Sequence, residues 1–206
     1  VAFGRRVMTP LVLRFMRQHP GLQIELGFDD RYVNLIEQGV DLAVRMGRLA
    51  DSTLGARTLG VNPWVLVASP HYLKKHGTPR RPSDLKEHAT LIYSSVQGND
   101  VWRLRNASGE AVSVPVSGRL RSNNLSALLA AARAHMGIAA LPWYVAHDSL
   151  AAGRVVEVLK TCRLPEQEIH AVYPSPRLVP QKVQAFIAFL QGRFGSTWWE
   201  QLPKGG

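Results

Sequence analysis

At 206 residues, with 46% apolar and 19% charged side chains, the chain has the length of one large or two small domains and the composition of a folded protein rather than a disordered one. Its net charge of +10 invites a polyanionic partner, but no basic run exceeds two residues (Arg5-Arg6, Lys74-Lys75, Arg80-Arg81), which favours a solvated basic surface over a dedicated nucleic-acid groove. No apolar run reaches the ~18–20 residues of a membrane span, no secretory leader is visible, and a single cysteine, Cys162, excludes an internal disulfide and fits a reducing compartment.

Arg5 to Gln18 reads as a helix, with Val7, Leu11 and Phe15 on one stripe and Pro10 kinking its first turns. His19-Pro20-Gly21 stops it. Alternation over Leu22–Leu26 predicts a strand, and Val33, Leu35 and Ile36 predict a short helix ending near Gly39. Leu42–Val44, Leu54–Leu59 and Trp64–Ala68 are strand candidates, the last two as a pair. Strands alternating with helices imply a mostly parallel sheet with helices on its faces.

Ser69 predicts the N-cap, and Gly77 the stop, of a helix over Pro70–His76. Ser83–Glu87 reads as a capped turn. Trp102–Arg105 and Ala111–Val116 flank Asn106-Ala107-Ser108-Gly109, a hairpin signal. Ser122-Asn123-Asn124 caps a periodic helix that buries Leu125, Leu128, Leu129, Ala132 and Met136, with Gly137 at its end. Ile138–Leu141 is a buried strand, and Pro142 opens another helix. Val155–Val158 and Ile169–Tyr173 are further strands. A last helix is expected over Leu178–Phe194.

The signatures of the common enzyme chemistries are absent: no GxxxxGK, GxGxxG, GxSxG or HExxH occurs. Ser83-Asp84-Leu85-Lys86 matches SxxK, but a helix cap explains it more simply. His71 and His76 are five apart, on different sides of a helix, so a shared metal is not expected. Polar groups at strand-to-helix junctions remain, where free N–H groups and the helix dipole favour an anion. The junctions are Ala2-Phe3-Gly4, Asp29-Asp30 and Ser122-Asn123-Asn124. Simple capping competes with ligand contact at each, evenly so for Asn123. Trp143 and Tyr144 suit a core better than a cleft.

Several segments, in order, resemble one family. They are Asp41-Leu42-Ala43-Val44-Arg45, Ser69-Pro70-His71-Tyr72-Leu73, Pro79 to His88 (P-x-x-P-x-D-L-x-x-H), Gly137-Ile138-Ala139-Ala140-Leu141-Pro142, Gly153-Arg154-Val155-Val156 and His170-Ala171-Val172-Tyr173-Pro174. The ordered set resembles the effector-binding domain of a LysR-type transcriptional regulator. The resemblance implies an α/β, two-lobed, periplasmic-binding-protein-like (type II) fold: two Rossmann-like subdomains joined by two crossing strands near Val65–Ala68 and Ala171–Tyr173, which act as a hinge. Residues 1–68 with 175–206 would form subdomain I, and 69–174 subdomain II. The family's N-terminal winged helix-turn-helix and first strand are not in this sequence, so a fragment is expected.

The resemblance also implies a cytoplasmic, non-enzymatic sensor without a cofactor or metal. A small effector, expected to be anionic, would sit between the lobes and modulate DNA binding and transcription. Carried over by position, the effector-binding candidates are Ala2, Phe3, Asp29, Asp30, Arg45, Asn123 and Asn124. Arg45 either faces the cleft or pairs with an acid; a guanidinium suits a carboxylate. Phe3 stands where the family often has a small hydroxyl residue, and His135 where it often has Gly. Expected partners are the effector, a second copy (a homodimer, or a tetramer in the full-length protein) and promoter DNA only through the N-terminal segment, with no membrane. A transporter's solute-binding protein is the alternative on the same fold, and an enzyme a more distant one.

Overall fold

The computed structural model describes residues 1–29, 34–47, 49, 53–94, 100–195 and 197–202. A π-type turn over Gly4–Met8 leads into helix α1 (Thr9–Gln18). Strands β1 (Ala43–Met46), β2 (Gly55–Asn62) and β3 (Trp64–Ala68) precede helix α2 (Pro70–His76) and a 3-10 turn (Pro82–Glu87). Strands β4 (Thr90–Tyr93), β5 (Val101–Arg105), β6 (Ala111–Pro115) and β7 (Leu120–Ser122) come next. Helix α3 (Leu125–Arg133), strand β8 (Ile138–Pro142), helix α4 (Trp143–Ala151), strands β9 (Val156–Val158) and β10 (Gln167–Tyr173), helix α5 (Gln181–Gln191) and a 3-10 turn (Trp198–Gln201) complete the order.

The chain forms two compact units, Phe3–Asn62 with Gln167–Leu202, and Pro63–Glu166. It crosses between them at 62/63 and 166/167, earlier than the expected 68/69 and 174/175. Ladder pairing decides the difference. β3 hydrogen-bonds to β8 and β9 and so belongs to the second unit, while β10 lies between β1 and β2 and belongs to the first.

In the first unit the three strands are antiparallel, in the order β1-β10-β2. The mostly parallel sheet expected from helix–strand alternation is therefore not what the described residues build here. Nor do β2 and β3 pair with each other. Leu22–Leu26 carries no strand: alternation supplies a face, but a strand needs a ladder, and no described segment pairs with it. The helix expected from Val33 reduces, in its described part, to a turn over 35–39, closed by Gly39 at φ +62°; Val33 lies outside the described residues.

Pro10 acts locally on the first helix. It has no N–H to donate, and the preceding turn widens so that both the N–H and the Oγ1 of Thr9 (3.0 Å) reach the Gly4 carbonyl. Helix α1 packs on α5 through Phe15, whose ring lies 4.8 Å from Phe186 and 5.2 Å from Phe189. α5 begins at Gln181, not Leu178, because Pro180 disfavours helix before it, and Leu178 is left exposed.

The second unit holds a mixed five-stranded sheet, β7-β4-β8-β3-β9, and a separate β5–β6 ribbon. β7, β4 and β8 run parallel; β3 is antiparallel to β8 and β9. Leu91, Ile92, Ile138 and Leu141 on the strands and Leu128 on α3 are almost wholly buried, and each such side chain contributes about 1.5–3 kcal/mol relative to exposure. Met136, expected inward, is half exposed, because α3 ends at Arg133 and the chain turns at His135. Gly118 and Gly137 lie so close to the carbonyls of Thr90 and Ala89 that a Cβ would overlap them.

Candidate functional site

In a parallel sheet, the carboxyl ends of neighbouring strands and the helix starts that follow them form the natural ligand edge. β4, β7 and β8 share such an edge in the second unit. Tyr93 at the end of β4 is in register with Ser122 at the end of β7, and the Ser94 N–H donates to the Ser122 carbonyl at 3.0 Å. β8 ends at Pro142, whose partner in β3 is Trp64, and the Trp64 ring lies 6.0 Å from Tyr93. Trp143 follows immediately and opens α4, its N–H donating to the Pro63 carbonyl at 2.9 Å. Aromatic rings thus border the edge on which α3 begins.

The start of α3 separates two neighbouring asparagines. Asn124 is the cap: its Oδ1 accepts from Ser126 N–H (2.9 Å) and Ala127 N–H (3.1 Å), and its own N–H donates to Ser122 Oγ at 3.0 Å. Asn123 is exposed, and its carboxamide has no hydrogen bond among the described residues. The sequence left capping and ligand contact open for Asn123; the structure gives capping to its neighbour. Asn124 also occupies two of the first-turn amides that an anion would otherwise use. Trp143, which follows β8, adds an indole Nε1 that is buried and has no partner among the described residues, an unmet donor.

The other described candidates belong to other elements. Phe3 is packed between Phe194 and Trp198, each 6.0 Å away, so its ring serves the core of the first unit. No side chain caps the helix that starts there. Ala2 is half-buried. A Cβ on Gly4 would meet the Phe28 ring, so the first and second junctions approach each other. Asp29 is exposed and Arg45, opposite His170 on β1, is half-buried; both are already engaged with neighbours. Asp30 lies outside the described residues.

A polar network behind α2 escaped the sequence reading. The wholly buried Ser69 Oγ accepts from Tyr72 N–H at 3.1 Å and lies 2.7 Å from His135 Nδ1. His135 adopts φ +64°, a left-handed position just past the helix that Gly would adopt without strain, and its ring packs 4.5 Å from His71. Tyr72 Oη accepts from Ala89 N–H (3.0 Å) and lies 3.2 Å from His88 Nδ1. Burial pushes the Tyr72 hydroxyl up, against the Ala89 hydrogen bond. Burial holds the His88 imidazole below the usual histidine range, with the His76 charge adding to it and Asp84 and Glu87 opposing. Among the described residues no group of three His, Cys, Asp or Glu is placed to hold a metal ion.

The family model of the LysR substrate binding domain matches residues 1–195. The chain belongs to the LysR substrate-binding domain family. A Haemophilus influenzae protein described as an uncharacterized HTH-type transcriptional regulator is 35% identical over 88% of this chain and 62% of its own length. The Escherichia coli HTH-type transcriptional regulator DmlR is 33% identical over 93% of the chain and 62% of its own. The chain thus spans about 62% of the length of these regulators. Among solved structures, full-length AphB, a Vibrio cholerae virulence activator, matches with a TM-score of 0.80 at 30% identity, covering 93% of this chain and 65% of that one. The CrgA regulatory domain from Neisseria meningitidis matches with a TM-score of 0.80 at 28% identity, covering 95% of each chain.

A LysR substrate-binding domain has the type II periplasmic-binding-like fold, and this family consists of regulators rather than enzymes. The transporter alternative finds no support among these relatives. No helix of the described residues is long and apolar enough to cross a membrane.

Proposed function

We propose that this chain is the effector-sensing part of a cytoplasmic transcriptional regulator, and that it takes a small anionic metabolite at the carboxyl edge of β4, β7 and β8. The observation that carries the reading is the division of labour between Asn123 and Asn124. One side chain completes the helix, and the other is left exposed beside it with its amide and carbonyl unused. A carboxylate can accept from the Asn123 amide, and the partial positive charge of the helix start adds to its attraction. Tyr93, Trp64 and Trp143 supply apolar surface for the body of the ligand. Ala2, Phe3, Asp29, Asp30 and Arg45 remain further candidates, Phe3 through its backbone alone.

In this reading binding shifts a population between two states of the sensor. The response passes to promoter DNA through a helix-turn-helix segment outside this sequence, in a self-associated regulator. That the relatives are described as HTH-type transcriptional regulators supports this role.

A thermal-shift screen with small carboxylates and aromatic acids tests the proposal. A true effector binds the native state alone and must raise the melting temperature. Calorimetry with that hit should show weaker binding by Asn123→Ala and no change in the unliganded melting temperature. Unchanged affinity would refute the assigned edge; absence of any stabilising metabolite would refute the sensor.

A further inference from the structure

The β5–β6 ribbon carries charge in a pattern that the effector reading does not use. Its register pairs Trp102 with Val114 and Leu104 with Val112, and Trp102, Leu104 and Val114 are buried. Side chains alternate along a strand, so Arg103 and Arg105 take the outer face, opposite the small exposed residues Ser113 and Ala111. A third strand-like segment extends this face. Arg105 and Arg163 form an antiparallel bridge in which each N–H donates to the other's carbonyl at 2.8 Å. Residues opposed in such a bridge project to the same side. Arg163 is exposed, while Leu164 beside it is buried.

Three guanidinium groups therefore share one solvent face. Arg103 and Arg105 are two residues apart, about 7 Å along the strand, and Arg105 and Arg163 have Cα atoms about 5.5 Å apart. Like charges placed directly opposite destabilise a sheet, and among the described residues no acid offsets them. Among the described residues none of the three makes an ion pair. The carboxylate at the ribbon's turn, Glu110, is held by Asn106 (2.9 Å) and Ser108 (3.3 Å). Arg121 is neutralised by Asp100 and does not join the set. Arg105 Nη1 donates to the Gly109 carbonyl at 3.0 Å, which fixes the guanidinium without cancelling its charge. Residues 63–166 hold 13 Lys and Arg against 7 Asp and Glu, so the surrounding field is positive as well.

We propose that this arginine face docks the phosphate backbone of duplex DNA. Guanidinium groups spread over a strand and a segment bridged to it fit a repeating line of phosphates better than a compact ligand. Guanidinium also binds phosphate bidentately. The relatives are HTH-type regulators, so a duplex is the polyanion such a protein meets. The contact positions without reading sequence. It revises the expectation that DNA is met only through a separate reading segment.

Fluorescence anisotropy with a fluorescein-labelled duplex of arbitrary sequence tests this on the 206-residue chain. Each phosphate neutralised adds about −0.9 to the slope of log K against log salt, so three contacts give about −2.7, or a loss of ~40-fold between about 50 and 200 mM salt. The variant Arg103→Ser/Arg105→Ser/Arg163→Ser should lose that part of the slope. The variant Arg57→Ser/Arg133→Ser/Arg154→Ser removes the same charge from other exposed positions and should keep most of it. The ribbon variant should also melt no lower than the parent, since it removes mutual repulsion. No duplex binding by the parent, equal loss in both variants, or ribbon-dependent capture of poly-glutamate with duplex binding unchanged would each overturn the proposal. The response to carboxylate metabolites is a separate readout, so failure here leaves the sensor reading standing.

Discussion

The side-chain amide of Asn62 donates to the side-chain carbonyl of Gln167 at 3.1 Å, and the two residues are also Cα partners in the β2–β10 ladder. Asn62 is the last residue before the chain leaves the first unit, and Gln167 is the first after its return. One hydrogen bond therefore clamps both crossing points together. Asn62 is wholly buried, its Nδ2 also lies 3.8 Å from Met46 Sδ, and its Oδ1 has no partner among the described residues.

Removing this clamp should be costly because the groups are buried. Asn62→Ala is expected to destabilise the protein by about 1–3 kcal/mol, read as a lower urea midpoint. Gln167→Ala should cost less, since its position is only half-buried. In a double-mutant cycle the two should couple by about 1 kcal/mol. Strict additivity would show that the pair does not act as a clamp.

The His135 position separates backbone strain from side-chain bonding. At φ +64° a Cβ carries a penalty of ~1–2 kcal/mol that Gly escapes. The imidazole offsets it through Ser69 at 2.7 Å and the stack on His71. His135→Ala keeps the strain and loses the bonds, and should destabilise by about 1–2 kcal/mol. His135→Gly loses both and should be close to neutral. Equal melting temperatures for the two variants would contradict the assignment.

Features with local causes were legible in the sequence. Ser69, Pro70 and Gly77 define α2 to the residue, because the Ser69 cap, the proline start and the Gly77 stop each act within a few residues. The β5–β6 hairpin and the start of α3 are legible for the same reason. What failed was pairing. Leu22–Leu26 has the pattern of a strand without a ladder, and Trp64–Ala68 sits beside β2 in the chain but joins the other sheet. The site behaves likewise: a cap at Ser122–Asn124 is readable, but which asparagine performs it depends on backbone angles. Trp143 becomes a site residue only when β8 is aligned parallel to β4.

His88 gives the fold a direction of pH dependence. Its Nδ1 faces the Tyr72 hydroxyl, which accepts from Ala89 N–H and so has its own proton to give to a neutral imidazole. Burial and His76 lower the folded-state pKa. The unfolded chain therefore takes up a proton near the ordinary value of ~6.5 while the folded state still refuses it. Stability is full above that value and declines as pH falls through it toward the folded pKa. Urea midpoints between about pH 7.5 and pH 5 should fall with acidification. His88→Gln should flatten that window. An unchanged slope in the variant would assign the dependence elsewhere.

Trp143 links stability to binding with opposite signs. It opens α4 directly after β8, and its buried Nε1–H has no acceptor among the described residues. An unmet buried donor costs about 1–3 kcal/mol, so Trp143→Phe, which keeps an aromatic ring and deletes the donor, should leave the melting temperature unchanged or raise it despite the lost volume. If the donor is held for an effector, the same change should weaken binding of a carboxylate identified in the thermal-shift screen by ~5–10-fold, the equivalent of about 1–1.4 kcal/mol for one hydrogen bond. Calorimetry on both proteins reads the affinity, and a melting curve without ligand reads the stability. A variant that is less stable yet binds with full affinity would make Trp143 a packing residue, and would leave Asn123 to meet the ligand without it.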